Sequence, residues 1–266
     1  MKIFVSADIE GVTGIAHWDE ATESKPDYAP FREQMTAEVR AACEAAVAAG
    51  ATEILVKDAH GTGRNIVAAA LPECARLSRG WSGHPFCMMD ELDASYDAVL
   101  MVGYHARAGS GGSPMAHTMS GSVVSVFRLN GAPVAEFELN AMTAQSVDVP
   151  VVFVAGDASV CEQARRHAAA IETVATQHGH GRSTVSRHPA VSCRLIAEGV
   201  ERALRGDPAR CLAPLPERFE VEIEYHEATL AYGRSFYPGA RLEDERRVRF
   251  EATDWFDVLR FIQFVI

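Results

Sequence analysis

Four short, nearly unbroken apolar runs constrain this chain more than any other feature. They cover residues 3–7, 53–58, 97–103 and 151–157, and each closes on or runs into a polar residue. Strands that are apolar throughout, rather than at alternate positions, are buried on both faces, as in a parallel sheet covered by helices on both sides. The intervening sequence supplies those helices. Residues 32–49 are rich in Ala and Glu, contain no Pro or Gly, and stop at Gly50, the residue type that most often ends a helix. Residues 65–71 read as a short helix ahead of Pro72, and 139–146, the Ala-rich stretch up to 170, and 189–204 read as others. Asn130-Gly131, between residues 123–129 and 133–137, is a strong hairpin signal. The predicted class is α/β: a mostly parallel sheet flanked by helices.

The character of the chain changes after residue 205. Residues 208–216 contain three prolines and read as a linker. Phe219, Val221, Ile223 and Tyr225 then alternate with Glu220, Glu222, Glu224 and His226, the period of a half-exposed antiparallel strand. Residues 255–266 are apolar and amphipathic, as expected of a terminal helix docked on a core. This predicts an α/β domain over 1–205, carrying any chemistry, and a smaller α+β part over 206–266.

Twenty-five basic against 36 acidic side chains leave a formal charge of −11. Such a surface repels polyanions, so no nucleic-acid partner is expected. No apolar run reaches the roughly 18 residues of a membrane span, and the start does not read as a secretory leader, so a cytoplasmic chain without a membrane partner is expected. The six cysteines are scattered with no CxxC pair and read as buried apolar residues or free thiols.

Chemistry concentrates at the strand ends. The first run ends at Asp8, with Glu10 two residues on; the second at Asp58-Ala59-His60; the third at Tyr104-His105. Parallel strands share one carboxyl edge, where ligands bind, so Asp8, Glu10, His60 and His105 are predicted to converge there. Singly, each is the kind of residue that caps a helix or forms a turn. Together, carboxylates and imidazoles suit zinc or a similar divalent ion. An aspartate at the centre can bridge two ions, and Glu136 and Glu138, at the end of the hairpin, are candidates for the further ligands two ions need. His117, after the glycine- and serine-rich residues 108–114, is a candidate general acid, base or anion stabiliser. Gly61-Thr62-Gly63 lacks the third glycine of a dinucleotide fingerprint, and no G-x-S-x-G elbow occurs.

Five motifs then recur in an order that resembles one family. They are Ser6-Ala7-Asp8-Ile9-Glu10-Gly11-Val12-Thr13-Gly14, Val56-Lys57-Asp58-Ala59-His60, Val102-Gly103-Tyr104-His105-Ala106-Arg107-Ala108, Met115-Ala116-His117-Thr118-Met119 and Glu136-Phe137-Glu138-Leu139-Asn140-Ala141. Over residues 1 to about 205 the chain is similar to the DppA-type D-aminopeptidase family of zinc metallopeptidases. The resemblance implies two zinc ions per subunit, held by Asp8, Glu10, His60, His105 and Glu136, with His117 as the catalytic histidine. It implies hydrolysis of the amino-terminal residue, a D-amino acid, from short peptides with a free amino terminus. It also implies a homodecamer of two stacked rings. Two stretches beside the site depart from the family's pattern: residues 109–114, longer and richer in glycine, and Gly61-Thr62-Gly63-Arg64. Both bear on substrate preference. Two other functions fit the same residues: a dinuclear hydrolase of another small amide or ester, and a non-catalytic metal- or peptide-binding module.

Overall fold

The computed structural model describes residues 1–266. The chain runs β1 (Lys2–Ala7), α1 (Trp18–Ala21), α2 (Tyr28–Ala48), β2 (Glu53–Asp58), β3 (Ala75–Ser78), β4 (Ala98–Tyr104), β5 (Val124–Leu129), β6 (Ala132–Pro133), α3 (Glu136–Gln145), β7 (Val151–Asp157), α4 (Ala158–His167), β8 (Glu172–His180), β9 (Ser183–Ser186) and α5 (Pro189–Arg205). It continues through β10 (Phe219–Tyr225), α6 (Ala228–Arg234), β11 (Arg241–Leu242), β12 (Arg247–Ala252) and α7 (Trp255–Val265).

The four apolar runs are β1, β2, β4 and β7. They lie in a seven-stranded sheet of order β3-β2-β1-β4-β7-β8-β9, parallel except for the final β8–β9 pair. All seven residues of β4 and of β7 are buried, as continuous apolar strands require. Helices α2 and α5 pack on one another and on the central strands, and α3 and α4 form a second pair. The chain leaves β1 toward β2 and β3, then returns to the other side of β1 with β4. The order reverses between β1 and β4, the switch point where the carboxyl ends of such sheets open a crevice.

The second sheet is antiparallel, of order β11-β12-β10-β5-β6. It combines strands from the last quarter of the chain with the 124–133 hairpin. Asn130 and Gly131 both have positive φ (50° and 79°), the geometry of a two-residue I′ turn. Strand β10 alternates buried and half-buried residues along its length. Its outward Glu222 pairs with Arg128 across the sheet at 2.9 Å, and its inward side chains join α7 in a separate core around Ile223, Val248 and Phe261.

Several local expectations shift. The helix predicted over 65–71 is a single 3-10 turn, Ala68–Ala70. The amides of Asn65 and Ile66 donate instead to the Asp58 carboxylate, at 2.6 and 2.7 Å. The hairpin's second strand ends at Pro133, and Glu136, predicted on that strand, begins α3. Helix α2 starts at Tyr28, ahead of the predicted 32, because Pro30 sits in its first turn, where a missing N–H costs nothing. Residues 172–186, between the two predicted helices, form the β8–β9 hairpin, with His178 and His180 on β8.

Candidate metal centre

The strand ends deliver their polar residues to one point. Asp8 and Glu10 follow β1, His60 follows β2 and His105 follows β4, while Glu136 arrives on the first turn of α3 and His117 on the segment between β4 and β5. All six are at most 9% exposed. Asp8 faces two ways: Oδ1 lies 3.3 Å from His60 Nδ1, and Oδ2 lies 3.4 Å from His105 Nε2. Glu10 Oε2 is 3.1 Å from His60 Nδ1. Glu136 reaches His105 Nε2 and His117 Nε2, each at 3.4 Å. Three overlapping triplets, Asp8–Glu10–His60, Asp8–His105–Glu136 and Glu10–His105–His117, each bring their ligand atoms within 4.8 Å.

The outward faces of the imidazoles decide what the inward faces carry. His60 Nε2 meets the Ala21 carbonyl at 2.8 Å, His105 Nδ1 the Ala106 carbonyl at 3.0 Å, and His117 Nδ1 the Met115 carbonyl at 3.0 Å. A carbonyl only accepts, so each of these nitrogens carries the proton. In the neutral ring the other nitrogen then turns a lone pair toward the carboxylates. Lone pairs facing carboxylate oxygens repel unless a cation sits between them. His105 Nε2 and Glu10 Oε2 are buried with no hydrogen-bond partner. This donor set fits a divalent metal, and the two-sided Asp8 fits a bridge between two.

Among the side chains themselves, burial favours the neutral forms of all these groups, but their mutual attraction wins. The neighbouring carboxylates, led by Glu10 at His60 and by Glu136 at His105, draw both imidazoles well above the ordinary histidine range. The imidazoles in turn hold Glu10 and Glu136 below the usual carboxylate range. Glu138, the alternative candidate, does not join them. It turns back to accept the Ala135 N–H at 2.7 Å, capping α3, and burial pushes its carboxyl up to about 7.

A surrounding layer fixes the ligands. Asp58 ties down Asn65, whose side chain also donates to the His60 carbonyl at 2.8 Å. Asp157 accepts from Ala106 N at 2.7 Å while capping α4, so β7 holds the segment after His105. The Tyr104 hydroxyl joins Ser6 (2.7 Å) to Asn140 (2.9 Å), locking α3 and its Glu136 against the sheet. His117 stacks on His105 with ring centroids 4.1 Å apart and packs edge-to-face with Trp18, centroids 5.1 Å apart. It is held, not carried on a mobile loop as its glycine-rich surroundings suggest.

The centre lines a cavity of about 260 Å³, walled further by Trp18, Trp81, Met88 and Met119. A larger hollow of about 760 Å³ on the second sheet, bordered by Asn130, Arg218 and Glu251, holds no such cluster. Asp157, Asn65 and the two tryptophans escape sequence reading because no local pattern links them to strand ends elsewhere in the chain.

Residues 1–264 match the family model described as D-aminopeptidase (peptidase M55). A D-aminopeptidase of Bacillus subtilis (strain 168) is 34% identical over 257 residues, which span 96% of this chain and 92% of that protein. Among solved structures, the Zn-dependent D-aminopeptidase DppA from Bacillus subtilis, described as a self-compartmentalizing protease, superposes with a TM-score of 0.93. It is 31% identical, and the match covers 100% of this chain and 96% of that one.

Proposed function

The chain belongs to the D-aminopeptidase family, and on that premise we propose that it is a zinc-dependent aminopeptidase removing an amino-terminal D-residue from short peptides. The observation that carries this reading is the set of three imidazoles, each locked outward on a backbone carbonyl and turned inward onto three buried carboxylates. Two ions fit: Glu10 and His60 would hold one, His105 and Glu136 the other, with Asp8 between them. Bound there, zinc lowers the pKa of water toward about 7 and polarises a carbonyl.

The protein's own groups supply the rest. His117 keeps its Nδ1 proton on Met115, so Nε2 faces the cavity free to accept a proton from attacking water and return it to the leaving amine. Its stacking on His105 fixes that nitrogen's height over the centre. Trp18, Met88 and Met119 give the cavity apolar lining beside the ligands. In this reading, residues 1–205 carry the chemistry. Residues 206–266 complete the second sheet, where Tyr232, Phe236 and Phe264 remain more than half exposed. That apolar surface, with the self-compartmentalizing DppA relative, supports assembly into a homodecamer, which light scattering tests. No helix is long and apolar enough to cross a membrane, in keeping with a cytoplasmic enzyme.

The decisive experiment combines metal analysis with a panel of D- and L-aminoacyl amides and their N-acetyl forms. Zinc near two per chain and cleavage of the free-amine D-amides alone are expected. Cleavage of acetylated amides would transfer the site to another small-amide hydrolase. Bound metal without turnover would make the protein a binding module.

A further inference from the structure

Lys57 is the anomaly beside the centre. It lies on β2, three residues before His60, and its side chain is 0% exposed. No carboxylate forms a salt bridge with it. Its ammonium donates instead to the Gly80 carbonyl and sits under the Trp81 ring, 4.5 Å from the centroid. A buried, unpaired lysine is costly, so what it holds matters.

What it holds is one wall of the metal cavity. The Trp81 indole N–H donates to the Gly61 carbonyl at 2.8 Å, one residue after His60. Gly80 N donates to Gly63 O at 2.8 Å, and the two backbones touch so closely that a Cβ on Gly63 would come within 2.9 Å of Gly80 N. Residues 61–64, which depart from the family's pattern, therefore form the seat of Trp81. Yet Trp81 is 42% exposed. It borders both the metal cavity and an adjoining hollow of about 160 Å³. A flat ring pinned from behind on one face, and open on a cavity, is a surface built for contact. The large side chains of the remaining non-ligand wall, Trp18, Met88 and Met119, are apolar, Ser120 is its one hydroxyl, and no charged side chain lines the cavity besides the cluster.

We infer that Trp81 determines specificity, selecting substrates whose amino-terminal residue carries a large apolar, above all aromatic, side chain, and that Lys57 is its positioning residue. This rests on the aminopeptidase reading and adds the substrate's side chain to it. The cation already under the ring also disfavours a cationic side chain on its open face.

The test compares D-phenylalanine, D-alanine and D-lysine amides on the zinc-loaded protein and its Trp81→Ala, Lys57→Met and Lys57→Arg variants. Wild type is expected to favour D-phenylalanine amide over the other two. In Trp81→Ala, the kcat/KM ratio of the phenylalanine to the alanine amide should shrink by about 10-fold or more, the scale of one lost apolar contact surface, with the change in KM. Lys57→Met should shrink it similarly, and Lys57→Arg should restore part of it. Calorimetric binding of the same amides asks the question without turnover. If wild type binds the phenylalanine amide more tightly and cleaves nothing, the aminopeptidase reading fails and the wall stands. If Trp81→Ala keeps the wild-type ratio in both binding and turnover, or if Trp81→Ala and Lys57→Met lose only thermal stability, Trp81 is a structural staple and the inference is overturned.

Discussion

Gly103, at the heart of the crevice, offers a worked test of how β1 and β4 position the centre. Its φ is +77°, and a Cβ built on it would lie 2.0 Å from the Asp8 carbonyl oxygen. Real Cβ contacts essentially never fall below 3.0 Å, so Gly103→Ala must drive the two backbones about 1 Å apart. The left-handed backbone alone costs an alanine about 1–2 kcal/mol. The displacement strains two hydrogen bonds that join these segments, Asp8 N to Val102 O and Gly11 N to Gly103 O, both 2.8 Å, at about 1 kcal/mol each. The total, about 3–4 kcal/mol, lowers the melting temperature by about 6–16 °C in a chain of this size. Metal loss should be more severe. Asp8 and His105 flank the contact, and coordination tolerates only about 0.2 Å.

Two further glycines separate the causes. Gly50 has φ +99° with nothing within 4 Å of its Cβ position, so Gly50→Ala isolates the backbone cost. A Cβ on Gly156 would lie 1.9 Å from Tyr104 O, and φ there is not positive, so Gly156→Ala isolates the clash. Calorimetric melting with and without chelator, and zinc per chain by elemental analysis, read the outcome. The expected order of damage is Gly103→Ala worst, Gly156→Ala next, and Gly50→Ala least, with zinc retained. A Gly103→Ala protein that keeps its zinc and melts within about 3 °C of wild type, against the shift expected above, would refute the close-packed account of the crevice.

Other outcomes follow from the same geometry. Chelation should lower the melting temperature by about 8–16 °C for a metal held at a thousand times its Kd, and zinc should restore it. Indifference to chelation would mean that the inward lone pairs need no cation. His117→Ala should keep its zinc while kcat falls about 10²–10⁴-fold; undiminished turnover removes His117 from proton transfer. Glu38, fully buried, accepts from Thr13 N and Gln34 on one oxygen, and burial raises its carboxyl above the ordinary 4.5. The unfolded side chain ionises first, so the fold loses stability as pH rises from 4.5 through that raised value. Glu38→Gln keeps an acceptor without the charge, and its gain in melting temperature over wild type should be larger at roughly pH 8 than at roughly pH 4. An equal gain at both would show that the folded Glu38 carboxyl ionises in the same range as the unfolded one, so that burial does not raise it.

The part of the centre legible in sequence is the part that a parallel sheet imposes. Residues 3–7, 53–58 and 97–103 each carry an apolar stretch with no polar alternation, Ile3-Phe4-Val5, Ile54-Leu55-Val56 and Ala98–Val102, as adjacent buried strands require. Asp8, His60 and His105 then share an edge whatever the rest of the chain does. Glu136 is less legible. Alanine at the helix N-cap offers no side-chain cap, and the hairpin signal of Asn130-Gly131 suggests a longer second strand. What begins the helix is Glu138 turning back on Ala135, a contact that also separates the two glutamates: one caps and the other faces the metal ligands.

Beyond the sheet edge, local pattern stops informing. Strand β8 has only three buried residues in nine, too few for either a continuous or an alternating signature, because one of its sides meets the short β9. Lys57 reads as an ordinary charged residue near a strand end, and Trp81 as an isolated aromatic in a loop; 24 positions separate them. Their contact exists because β2 and β3 pair in register, Lys57 opposite Ser78, which brings the turn after β3 over the residues that follow β2. The metal ligands come from residues that the sheet makes neighbours by topology. The wall that would choose among substrates comes from the loops the sheet merely permits to meet, so relatives with the same ligands are free to differ there. If Trp81 acts as inferred, transplanting Lys57, residues 61–64 and residues 79–83 together into a relative should carry the side-chain preference with them. Transplanting Trp81 alone should not, because it leaves the ring without the ammonium and the Gly61 carbonyl that hold it.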